Sequence, residues 1–288
     1  MANAREIRRR IRSVRNMAQI TRAMEMVSAA KMRKAQQRVL ASRPYSERLQ
    51  GVIGDLASLR IDAAELANYP LLTQREIKRS AVILITPDRG LTGALNTNVI
   101  RRATRYILGE ANVPVEVIAS GKKGRDFMVR TRQDVVAEFI NLGDAPSLDD
   151  IRPMVDVAIQ DFIAGKVDAV FVVFAKFVNT LSQVPEVRQV LPILRPEGEG
   201  AYSDYIFEPS PQAVLADLLP RFVEIQVYQA LLESIASEHS ARMVAMRNAS
   251  QNAKDLVADL NLSYNKARQA QITREVSEIA AGANAFAG

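Results

Sequence analysis

The sequence predicts an α/β protein in which a long antiparallel coiled coil of N- and C-terminal helices accompanies a central domain with a mainly parallel sheet. Three observations carry that expectation. Residues 1–43 and 221–281 contain no glycine or proline, both stretches repeat apolar or small residues at helical spacing, and strand and helix patterns alternate between them, where all the turn chemistry lies. The organisation expected is an N-terminal shaft helix over 1–59, a central α/β domain over 75–200 and a C-terminal shaft helix over 210–288.

At about 1.5 Å per residue the stretch 221–281 makes a helix of roughly 90 Å, several times what a compact domain of this size buries. Such a helix needs a packing partner. In the first stretch Ile7, Ile11, Val14, Ala18 and Thr21, then Met32, Ala35 and Val39, follow a 4-3 spacing along one stripe. Glu25 and Ser28 interrupt that stripe, while Met24 and Val27 lie one step aside. Pro44 either ends or kinks this helix or, with Tyr45, opens a second helical stretch through Leu59. The last stretch carries a stripe at Ile235, His239, Arg242, Met246, Ala249, Ala253, Leu256, Leu260, Ser263, Ala267 and Ala270. Its alanines let two backbones approach closely, and the economical partner is the chain's own first helix, running antiparallel. Beyond Arg274 charge thins into small residues, which reads either as a frayed end or as a low-friction contact inside an apolar sleeve.

Between the helical ends, apolar runs at 81–85, 115–119, 135–140 and 169–174 read as buried strands, with 187–193 as an edge strand bounded by Pro185 and Pro192. Helical patterns at 97–108, after SGKKG, and at 148–163 alternate with them. A Rossmann-like domain with helices on both faces of the sheet follows.

The chain has 288 residues and a net charge of +6, no cysteine and one histidine. These exclude a disulfide framework, a thiolate metal or redox centre and a histidine-based metal site. No apolar run approaches the roughly 20 residues of a membrane helix, and the basic start lacks the apolar block of a secretion signal, so a soluble cytoplasmic protein is expected. Charge is local: residues 1–43 hold ten arginines and two lysines against Glu6 and Glu25, a net of +10, leaving −4 for the rest. That is either a solvated helical face or a collar facing acidic groups of a partner.

Two strand-to-helix turns invite comparison with phosphate sites. Gly90 and Gly93 in PDRGLTGALN, and Lys122 and Lys123 in GKKG, would put backbone N–H groups and positive charge at helix starts. Neither has the GxxxxGK[ST] or GxGxxG spacing, and glycine serves such turns for steric reasons alone. Asp88 and Arg89 instead read as loop braces or partner contacts. With no paired carboxylates, serine–histidine arrangement or metal spacing, the chain is expected not to be an enzyme and to need no cofactor.

Three separated segments carry a resemblance. REIRRRIRSVRNMAQITRAMEMVSAAKMRKAQ at the start, DRGLTGALN in the body, and HSARMVAMRNASQNAKDL with YNKARQAQITREVSEIAAGA at the end are similar to the gamma subunit of F-type ATP synthases of bacterial type. The resemblance covers nearly the whole chain. Thr92 and Ala94 depart from the loop's usual residues, and the cysteine-bearing insertion of chloroplast relatives is absent.

The resemblance implies a central-stalk rotor subunit that couples proton-driven rotation of the c-ring to conformational change in catalytic beta subunits, without itself making a bond in ATP. Its partners would be the alpha and beta subunits of the ring, the epsilon subunit and the c-ring, and it would sit peripherally at the cytoplasmic face of the bacterial cell membrane. Arg268, Gln269 and Thr273, supported by Glu275, fall in the segment that engages loops of the ring. Met24 matches the position facing an acidic lever of a beta subunit, with Arg242 across the helix pair, and 205–215 matches the return from body to shaft, near the c-ring. Two other readings stand beside it: a coiled-coil adaptor binding nucleic acid, disfavoured by the lack of any aromatic in residues 1–43, and a nucleotide-binding enzyme using the sheet.

Overall fold

A computed structural model of the chain describes residues 4–58, 68–194, 208 and 210–287. Helix α1 spans Ala4–Ser58, α2 Leu95–Arg105, α3 Lys122–Arg130, α4 Leu148–Ile163 and α5 Pro211–Ala287; strands β1 to β5 are Ser80–Ile85, Val115–Ser120, Asp134–Phe139, Ala169–Phe177 and Gln183–Leu191. The chain divides into two compact units, Met1–Ser28 with Met243–Gly288, and Ala29–Arg242.

In the larger unit the sheet order is β3-β2-β1-β4-β5. The first four strands are parallel and β5 returns antiparallel beside β4. Every residue of β1 and β2 is buried, which is why they read as largely apolar runs, broken in β2 by Glu116, whereas edge strand β3 alternates. The two faces of the sheet build two cores. Ala81, Ile83, Ile85 and Val172 pack with Met154, Val155 and Phe162 of α4, while Val82, Leu84 and Val173 pack with Val99 of α2 and Met128 of α3.

The first core also takes Ala35, Leu49 and Ile53 of α1 and Leu215, Leu219 and Val223 of α5. This burial resolves the Pro44 alternatives. Proline inside a helix costs about 3 kcal/mol, but each fully buried leucine or isoleucine returns about 2 kcal/mol, so α1 runs through Pro44 unbroken. The same balance carries the last helix through Pro220: it begins at Pro211, and the Ser210 hydroxyl accepts from the Ala213 N–H at its first turn. Residues 205–207 and 209 of the expected return to the shaft lie outside the described residues. Strand β5 starts earlier than expected and holds Pro185 in its interior, as an edge strand permits. Helix α2 likewise starts at Leu95, and its end widens into a π-helical turn over Tyr106–Glu110.

In the smaller unit the two helices pair antiparallel: Arg247 Nε donates to Glu25 Oε1 (3.0 Å) and Ser250 Oγ contacts the Ala18 carbonyl (3.4 Å). On α1, Ile7, Ile11, Thr21, Glu25 and Ser28 are buried, with Val14 and Ala18 half-buried at the 4-3 positions between them, so Glu25 and Ser28 belong to the seam rather than interrupting it. On α5 the phase differs from expectation. Met246, Ala253, Leu260 and Ala267 face inward, but the positions between them are Ser250, Val257 and Tyr264; Ser263 is exposed and Leu256 is 47% exposed. A helix allows either a three- or a four-residue step from each anchor, and only the partner decides between them. Ile235 and His239 are buried within the larger unit instead.

Candidate interaction site

The strand ends at which a nucleotide would be sought are braced by the protein itself. Asp88, just after β1, accepts from the Lys122 N–H (2.9 Å) with one oxygen and from the Asn141 N–H (3.0 Å) with the other. Thr86 Oγ1 accepts from the Gly124 N–H (2.8 Å), and the Pro87 carbonyl accepts from the Lys123 N–H (3.2 Å). The first amides of α3 are thereby taken, so phosphate would have to displace a carboxylate, a hydroxyl and a carbonyl. Of the two readings offered for Asp88, loop brace is the one its contacts fit.

Arg242 donates to Glu238 on its own helix (2.5 Å) and reaches the carbonyl of Gly90 in the DRGLTGALN loop (3.4 Å). Burial pushes the Glu238 carboxyl above its ordinary value, with Arg242 opposing. A second loop, around residues 144–146, is held by α1 and α5. Asp144 accepts from Lys31 Nζ (2.6 Å), its carbonyl accepts from Arg38 (2.8 Å), and Tyr228 donates to the Pro146 carbonyl (3.1 Å). His239, 1% exposed, lies with Nε2 3.1 Å from Asp144 Oδ1 without the alignment of a hydrogen bond, and burial lowers its basicity. This arrangement serves loop anchoring, and among the described residues there is no cluster of three metal-ligating side chains.

In the smaller unit, Met24 is half-buried beside Glu25. Glu25, 6% exposed, is clamped between Arg247 and Arg22 (2.8 Å). The guanidinium facing this segment is therefore that of Arg247, which the sequence reading missed; Arg242 finds its bonds with Glu238 and Gly90. A complementary charge opposite a buried Glu25 was the available signal. The Arg247 hydrogen bond, helped by Arg22 and opposed by burial, holds the Glu25 carboxyl below its ordinary value. A depressed carboxylate stabilises the fold above the unfolded pKa, and that contribution fades as pH falls through the folded value. Only two helices enclose the pair and Arg247 is largely exposed, so the clamp is worth about 1 kcal/mol. Glu25→Gln is expected to lower unfolding free energy by that amount at neutral pH and by progressively less as pH falls below the ordinary carboxylate range, measured by denaturant titration across that range.

Arg268, Gln269, Thr273 and Glu275 are all exposed on α5. Thr273 Oγ1 bonds the Gln269 carbonyl (3.0 Å), an intrahelical link, and Glu275 accepts from Gln271 (2.9 Å) rather than from the three residues it was expected to support. Every residue of α5 from Arg268 to Ala281 is exposed, including Ile272, Val276 and Ile279, which form an apolar stripe at i, i+4 and i+7. The terminal stretch read as frayed or sleeve-bound is helical to Ala287.

The family described as ATP synthase matches residues 3–286. The ATP synthase gamma chain of Roseiflexus castenholzii is 58% identical over 291 residues, covering 100% of this chain and 99% of that one. The chain belongs to the ATP synthase gamma-chain family. The gamma chain of Dehalococcoides mccartyi strain CBDB1 is 52% identical over 288 residues, covering all of both chains. In fold, this gamma-family chain resembles a chain of the Euglena gracilis mitochondrial ATP synthase rotor, with a TM-score of 0.66 and 23% identity over 93% of this chain and 98% of that one. A chain in the OSCP/F1/c-ring structure of the same enzyme gives a TM-score of 0.68 at 21% identity, covering 98% and 94%. Among the described residues, no helix of this family member is long and apolar enough to cross a membrane.

Proposed function

We propose that this gamma-family chain is the central-stalk rotor subunit of an F-type ATP synthase, coupling proton-driven rotation of the c-ring to conformational change in catalytic beta subunits. It does no chemistry itself. The observation that carries the reading is full-length similarity to gamma chains together with an antiparallel helix pair whose C-terminal partner continues, exposed and helical, past the last seam residue. Two unlike helices present a different face in each direction. They therefore have different contact energies with the alpha and beta subunits around them, the only way a bond-free shaft can bias their states. The stripe at Ile272, Val276 and Ile279 suits an apolar sleeve, while Arg268, Gln269, Thr273 and Glu275 offer bonds that form and break with loops of the ring.

Epsilon and the c-ring complete the partners, and the subunit sits peripherally at the cytoplasmic face of the bacterial membrane. Purification of the complex tests the reading: one copy per three alpha and three beta subunits is expected, and a complex that assembles and couples without this chain would overturn it. Met24, half-buried beside the Arg22–Glu25 pair, faces the acidic lever of a beta subunit in this reading. Met24→Lys adds a cation that clings to that lever, so protons pumped per ATP hydrolysed, read by a pH-sensitive dye in inverted vesicles, should fall more than assembly does.

A further inference from the structure

A trough of about 830 Å³ lies between α2 and α3. Ile100 and Phe127 form its half-buried apolar floor. Its rims are basic. On α2, Arg101 and Arg105 are one turn apart; on α3, Lys123 and Arg130 are two turns apart, with Phe127 between them. None of these four cations has an acidic partner among the described residues, whereas Arg102, one step round α2, is paired with Glu110. Asp126, the one acid of the trough, is held by Arg125 (2.7 Å). The Arg130 guanidinium lies 5.5 Å over the Phe127 ring, which fixes it at the rim.

We propose that this trough is a docking site for an acidic amphipathic helix of a partner polypeptide. Charge complementarity selects the occupant. Cations along both rims of an apolar floor match carboxylates flanking both sides of an apolar stripe, a pattern that a helix displays at i, i+3, i+4 and i+7. The 11 residues of α2 offer about 16 Å of rim, enough for three turns. A lipid headgroup concentrates its charge at one point and leaves most of these cations unanswered. A small metabolite needs enclosure on most sides, which a surface trough lacks.

Two measurements test the site. In the first, a fluorescent 12-residue helical peptide with leucines along one stripe and glutamates on both flanks is titrated against the full chain by anisotropy. Binding is expected to weaken at least about tenfold in R101E/R130E and with rising salt, while K78E, outside the trough, leaves it unchanged. Equal binding to R101E/R130E, equal binding of a lysine-flanked peptide, or selective loss of phosphatidylglycerol vesicle binding in R101E/R130E would overturn the proposal. In the second, a photo-crosslinking phenylalanine analogue replaces Thr97 in the assembled ATP synthase, and mass spectrometry identifies the linked peptide. A cross-link to an acidic helical segment supports the site; a cross-link to lipid, or none, overturns it. The peptide titration needs no assembled complex, so its result stands apart from that of the rotor reading.

Discussion

Gly121→Ala is expected to destabilise the larger unit by about 4 kcal/mol or more, enough to leave much of it unfolded at 37 °C. Gly121 sits between β2 and α3 at φ 94°, a backbone region that L side chains rarely occupy. An added Cβ would also lie 1.8 Å from the Thr86 carbonyl oxygen, a backbone atom just past β1 whose residue is held by its N–H bond to the Ser120 carbonyl. Neither the strain nor the overlap has a cheap relief, because moving Thr86 breaks its hydroxyl's bond from the Gly124 N–H. Denaturant unfolding followed by circular dichroism checks this, and a midpoint unchanged from the parent would refute it. Gly90→Ala is the control, since its added Cβ meets nothing within 4 Å.

Asp88→Ala should cost about 3 kcal/mol, the second largest effect. One carboxylate accepts from the amides of Lys122 and Asn141, which are 34 and 53 residues away in sequence, so its loss orphans two donors at once. Asp88→Asn keeps the shape and one acceptor oxygen and is expected to recover about half of the loss. Equal stability of both variants with the parent, under the same denaturant titration, would show that water replaces the carboxylate without penalty.

The strands of the sheet were legible because a strand buried on both faces is apolar at most positions, as β1, β2 and β4 are despite Ser80, Glu116, Ser120 and Lys176. Helix pairing was legible from Ile7, Ile11 and Thr21 for a similar reason. The phase of the α5 seam was not. Leu256 and Val257 are comparably apolar neighbours, and the choice between them lies in the partner helix. The reach of α1 through Pro44 depended on contacts with a core assembled from distant segments, which local preference does not report. Glu25 was visible as an irregularity in an apolar stripe, but its meaning required Arg247, 222 residues away. Among the proposed contact residues, the exposure of Arg268, Gln269, Thr273 and Glu275 agrees with a surface role, whereas the bonds of Arg242 reveal an anchor for the Gly90 loop.

The self-filled crevice at the ends of β1 and β2 has a thermodynamic corollary. A ligand raises a melting temperature only by binding the folded chain in preference to the unfolded one, and here the amides such a ligand would occupy are already spent on Thr86, Pro87 and Asp88. The larger unit gains nothing through those amides when adenylate levels swing between starvation and plenty. Swings of that kind therefore have no route to its melting point through this crevice.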